Sequence, residues 1–297
     1  AARLDVTSNS LSNTGRITQT GSQSLNVDAD RVDNVNGGLI GYTVATATGG
    51  NGGTSNQTGG NSQTGSGNTH PGSGTGTGGS TTPVPGAPVT LADGQITVSG
   101  SLNNDGGQIT ANGATNLNAR NGLTNQSSTL NLKQLSVAGA HTVNSGTIRA
   151  ETAQLYTTAV DDRGGAVGAS CFGVQASSLD NRQGTVRSNS DMQLQINDTV
   201  QNKGGLISTT QQLYLHDNGK QTLAVDNADG QLVAGSRLAV EAASVSSSGR
   251  LAARGDTEIH SARLTNSGLL AAADSMKIRK QNNISNSGEI KAAPSEV

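Results

Sequence analysis

Aromatic residues are almost missing from this chain of 297 residues, which holds three Tyr, one Phe and no Trp. Little remains of the flat stacking surface against which single-stranded nucleic acids and many sugars are held. No basic field compensates, because 19 Lys and Arg face 21 Asp and Glu for a net charge of −2. Such a chain can release few counterions from a phosphate backbone, so no nucleic-acid partner is expected. A single cysteine, Cys171, excludes an internal disulfide framework and a cysteine-built zinc site. His70, His141, His216 and His260 are scattered without two-ligand spacing and are expected to be solvated; the sequence calls for no metal and no cofactor. No apolar run approaches the roughly 20 residues of a membrane helix, and Ala1-Ala2-Arg3-Leu4-Asp5-Val6 does not read as a signal peptide. Membrane insertion of this segment is not expected.

Large apolar side chains are scarce as well, which disfavours one compact core, while the small net charge disfavours a self-repelling disordered chain. What the chain has in abundance is Gly, with 41 copies, together with Asn, Ser and Thr. These residues recur in a phrase of the form apolar-x-Asn-x-(x)-Gly-x-apolar. Leu11-Ser-Asn13-Thr-Gly15-Arg-Ile17 is the first copy and Ile284-Ser-Asn286-Ser-Gly288-Glu-Ile290 the last. The phrase centres on Asn13, Asn34, Asn104, Asn125, Asn144, Asn181, Asn202 and Asn227, then on Ser247, Asn266 and Asn286, which makes eleven copies. Successive steps are 21, 70, 21, 19, 37, 21, 25, 20, 19 and 20 residues, so seven of the ten fall between 19 and 21.

Between phrases lie short alternating pairs such as Ile96-Thr-Val98, Leu213-Tyr-Leu215 and Leu238-Ala-Val240, and period two means strand. Each unit is too small to bury its own inward face and requires stacked neighbours. Strands that return every ~20 residues pair in parallel with the next unit, about 4.8 Å away. The expectation is an all-β chain, a right-handed parallel β-helix of about eleven ~20-residue turns forming one array over residues 1–297. In that array the recurrent Asn is expected to form a structural ladder, its amide bonding the copies above and below. The recurrent Gly is expected to supply a positive φ for the corner.

Leu-x-Asn-x-Gly-x-Ile units at this period resemble the haemagglutinin repeats of filamentous haemagglutinin and of contact-dependent growth inhibition exoproteins of Gram-negative bacteria. That resemblance implies two-partner secretion through an outer-membrane transporter of the Omp85 type. It also implies a location outside the cell or on its surface, and a role as a stalk that presents an adhesive or toxic region. The array starts and stops inside a turn, as expected of a central piece of a longer rod.

Two long steps predict insertions, each a place for function. Residues 41–93 read as a loop rich in Gly, Ser, Thr and Asn. Residues 159–176 read as a second insertion at another corner, with Asp161, Asp162 and Arg163 in a solvated turn and Cys171 and Phe172 covering the core. These five are the candidates for contact with a host or target-cell receptor or glycan. A third, minor insertion, 216–220, reads as a hairpin-type turn. Asp161-Asp162 is the only tight acidic pair outside the Asn corners, and adjacent residues point to opposite sides of a strand, so no enzymatic activity is expected.

Overall fold

The computed structural model describes residues 3–42, 91–110 and 114–292. Its 24 strands form one continuous sheet in which every ladder among the described residues is parallel. The chain is a right-handed parallel β-helix of about twelve turns. A few turns carry a separate strand on each of three faces, as in Gln212–His216, Ala224–Asp226 and Gln231–Ala234. In other turns the first two faces fuse into one bent strand, as in Arg237–Ser247 and Asp256–Asn266.

Register follows the alternation. Leu102, Leu123, Thr142, Val160, Leu179 and Val200 stack along one inner edge of the rod, as do Ile109, Leu130, Ile148, Val167, Val186 and Ile207 along another. These side chains are almost fully buried, and a slip of one residue would turn the apolar set of a strand outward. Burying a Leu or Ile in such a column contributes about 1.5–3 kcal/mol. Ile284 and Ile290 occupy the same inward positions in the last described turn. They are 40% and 41% exposed because no described turn covers them.

The expected insertion at 159–176 is not one. Thr147–Asp161 and Ala166–Asp180 pair residue for residue, Thr147↔Ala166 through Asp161↔Asp180, so the segment is an ordinary turn. The 37-residue step is two steps, of 18 and 19, with Asp162 occupying the corner position at which the repeat elsewhere carries Asn. This supplies the twelfth turn. For the loop expected at 41–93, the flanking strands Leu39–Tyr42 and Gly94–Val98 are in place, so Gly41 and Tyr42 belong to the rod. The Tyr42 hydroxyl accepts from the Leu25 N–H at 2.8 Å and donates to the Ala92 carbonyl at 2.9 Å. The remainder, 43–90, lies outside the described residues. Residues 216–220 do not make a hairpin: they widen a corner between parallel strands, where buried Asp217 accepts from the N–H groups of Gly219 and Thr222.

The recurrent glycine works differently from the expectation. In the longer copies positive φ falls one residue earlier, at Gly204 (62°) or, where that residue is not Gly, at Gln183 (58°), and the shorter corners, such as those at Gly146 and Gly268, have none. The glycine that follows, Gly205 or Gly184, is needed because the backbone of one turn presses against the corner of the turn before. A Cβ on Gly205 would run into the Asn181 carbonyl oxygen and lie 2.7 Å from the Asn202 side-chain oxygen. Gly205→Ala is therefore expected to cost at least about 2 kcal/mol in urea unfolding. Gly204→Asn, at a left-handed position that Asn tolerates, should cost less than about 1 kcal/mol. The reverse order would show that backbone conformation, not close approach, sets the requirement.

Candidate functional site

The most regular chemistry in the molecule is the column of corner amides. Nine of its eleven steps are closed by a side-chain hydrogen bond of 2.6–3.0 Å. The direction never changes. Asn13 Nδ2 donates to Asn34 Oδ1, Asn34 Nδ2 to Asn104 Oδ1, and so on toward the C-terminus. Each Nδ2 usually also donates to a backbone carbonyl of the next turn, as Asn202 does to Gln231 at 3.1 Å. These amides are buried from Asn13 through Asn266, so each bond is made away from competing water. The corner residues Asn227, Ser247, Asn266 and Asn286 line up in one file.

Two residues break the file, and both do so by lacking a donor or the length to reach. Ser247 accepts from Asn227 at 3.0 Å, but Asn266 Oδ1 beyond it is buried and finds no donor among the described residues. Asp162 accepts from Asn144 Nδ2 at 2.6 Å through Oδ1 and is only 1% exposed. The next oxygens along the file, Asp162 Oδ2 and Asn181 Oδ1, are buried without a donor among the described residues. A proton on Oδ2 would supply the missing donor. Burial pushes the Asp162 carboxyl up to about 7, against the opposing bond from Asn144, and the neighbouring Asp161 charge adds to the rise.

The five candidate contact residues are not brought together. Asp162 and Phe172 are buried; Phe172 stacks in the core between Ala153 and Met192, where small Ala153 makes room for the ring. Cys171 is exposed rather than a core cover, because it alternates outward next to inward-facing Phe172. Asp161 and Arg163 are the outward members of an ion-paired strip with Asp180 and Arg182. The Arg163–Asp161 distance is 2.5 Å, that of Arg182–Asp180 is 2.6 Å, and Arg163 approaches Asp180 at 3.7 Å. The Arg163 bond holds the Asp161 carboxyl below its usual range, and exposed pairs of this kind contribute about 0–1 kcal/mol each. Among the described residues no three His, Cys, Asp or Glu side chains cluster as a metal site. His216 is engaged, its Nδ1 2.7 Å from the Asp217 carbonyl oxygen and its ring stacked on Tyr214.

A lateral face carries what the sequence reading missed. In-register pairing sets Gln154, Gly173, Gln193 and Tyr214 in one outer file and Tyr156, Gln175, Gln195 and His216 in the file beside it. All of these but His216, together with Cys171, Asp191 and Gln212 of the next file, enclose an open trough of about 440 Å³. Gly173 shapes it, since a Cβ there would collide with the Gln154 amide that lies across it. The only clue in the sequence was polar and aromatic residues at alternate positions, and it becomes a surface only once the register is known.

No protein-family model, no curated protein and no solved structure matches this chain.

The Asp162 geometry has a definite pH signature. In the unfolded chain the carboxyl titrates near 3.9. Its stabilisation is complete below that value and is lost as pH rises through about 7, at up to about 1.4 kcal/mol per pH unit between the two. Asp162→Asn supplies a permanent donor, so it should raise the melting temperature at pH 8, change it little at pH 4, and flatten the dependence between pH 5 and 8. An unchanged pH profile would refute a protonated link. Ser247→Asn extends the file to Asn266 and should add about 1 kcal/mol in chemical denaturation. Asn202→Ala should remove about 2–4 kcal/mol, because it strands buried partners in both adjacent turns.

Proposed function

We propose that this chain is a rod-forming stalk segment of a large secreted surface exoprotein, in the manner of the haemagglutinin-repeat proteins its repeats resemble. The observation that supports this reading is the continuity of the rod. Parallel strand pairing runs from Leu4 to Ala292, and the Asn34–Asn104 link, whose partners are 70 residues apart in sequence, is the same 2.7 Å as the Asn13–Asn34 link. A structure of this kind transmits position: its length is set by the number of turns, and each turn added outside a membrane buries its inner face on the last. Stacking of this kind would also help to draw an unfolded chain outward through an Omp85-type transporter. A chain with one cysteine has no internal disulfide to obstruct that passage. On this reading the segment works outside the cell or on its surface and holds an adhesive or toxic region away from it.

The test is a pair of deletions in the secreted parent protein. Removing residues 228–266 takes out two whole turns and joins Asn227 to the residue that follows Asn266. Surface display and target-cell binding should both persist on a rod shorter by about 10 Å. Removing residues 228–256, which ends out of phase, should abolish display. If the in-phase deletion abolishes cell binding while leaving display intact, the segment is a binding module rather than a stalk. The receptor-binding alternative placed in the 41–93 loop is tested separately by deleting residues 49–86, which should leave cell binding unchanged.

A further inference from the structure

The trough on the lateral face has a composition unlike the rest of the rod. Of the three tyrosines in the chain, Tyr42 is buried, and the other two both line this trough. Tyr156 is 51% exposed and is one of only three large exposed hydrophobic side chains among the described residues; the other two, Ile284 and Ile290, lie in the last described turn, which no described turn covers. About half of this ring stands in water, so that part of its apolar surface contributes nothing to the core. Around it stand the side-chain amides of Gln175 and Gln195, each able to donate and accept at once, and that of Gln193, whose Nε2 lies 3.1 Å from His216 Nε2. Tyr214 closes the opposite end, stacked with His216 at 4.2 Å between ring centroids.

The trough has a chemical bias. Asp191 is the one charged residue lining it, and no cationic side chain does so. Arg237, one turn on from Gln212, donates to the Gln212 Oε1 at 3.3 Å, but its charge is paired with Glu258 at 2.6 Å. An anionic ligand would meet a carboxylate with no free cation to hold it. A purely apolar ligand would strand the glutamine amides. Amides that pair with vicinal hydroxyls, beside a ring face that covers axial C–H groups, are the complement of an uncharged sugar. Spacing points the same way. The amides repeat every turn, about 4.8 Å along the axis, close to the length of one pyranose residue in an extended chain.

We propose that this trough binds a neutral, extended glycan lying along the rod axis, with one sugar ring on Tyr156 and successive residues in register with Gln175, Gln195 and the Tyr214–His216 end. The site is independent of the stalk reading, since it requires only the lateral face, and the stalk deletions do not bear on it.

The experiment titrates the full chain with cellotetraose, maltotetraose and chitotetraose, using tetragalacturonate as the acidic comparison. Binding is followed by calorimetry and by tyrosine fluorescence, which is not masked because the chain has no Trp. At least one neutral tetrasaccharide should bind with a Kd of about a millimolar or tighter. Tyr156→Ala should weaken it by at least about fivefold without moving the melting temperature. Gln175→Ala should weaken it in the same direction. The proposal is overturned if none of the neutral probes binds at about 10 mM. It is overturned equally if Tyr156→Ala binds as the parent does, or if tetragalacturonate binds as tightly as the best neutral probe.

Discussion

A buried amide at a tight corner is satisfied in this fold chiefly by the corner side chain one turn away. Each corner Asn has to give a proton forward and take one from behind, and only a group with both a donor and an acceptor in fixed relation can do so. This head-to-tail requirement fixes register more strictly than hydrophobic packing does. An inner Leu can exchange with Val or Ile, whereas a corner displaced by one residue strands two buried polar atoms. The bonds all point the same way, so each polarises the next and the file behaves as a unit.

That constraint explains where the chain is free to vary. Length can change at a corner that does not interrupt the file, because closing a longer loop costs only a slowly growing entropy. The Asn34–Asn104 link spans 70 residues of sequence and is as short as the Asn13–Asn34 link that spans 21. Side chains that point outward take no part in the stacking. The ion-paired strip of Asp161, Arg163, Asp180 and Arg182 and the Gln and Tyr files can therefore differ from turn to turn without cost to the rod. Stability sits inside, and whatever the rod recognises sits outside.

Particular residues show how far the reading of the sequence reached. The Asn positions, the inner apolar edges and the parallel solenoid were legible because all three repeat, and repetition survives the loss of three-dimensional information. Asp162 was missed as a corner because its side chain is an acid where the pattern demanded an amide. Without it a 37-residue step looked like an insertion. A carboxyl is normally solvated, and only the neighbouring turns show that this one is enclosed. Gly184 and Gly205 were placed correctly but for the wrong reason: the repeat marks a requirement for no side chain, and does not say whether torsion or proximity imposes it. Cys171 and Phe172 seemed to share a role because they are adjacent, yet alternation puts one outside and one in the core.

From the order of residues alone came the period, the strand type, the parallel stacking and the identity of the corner ladder, because these depend on contacts between equivalent positions that the sequence repeats. Turn number, the buried acid, the role of the glycines and the glutamine and tyrosine trough were decided only by the folded chain. Each arises from contacts between unlike residues one turn apart, near in space at about 4.8 Å and separated in sequence by a distance that varies from turn to turn.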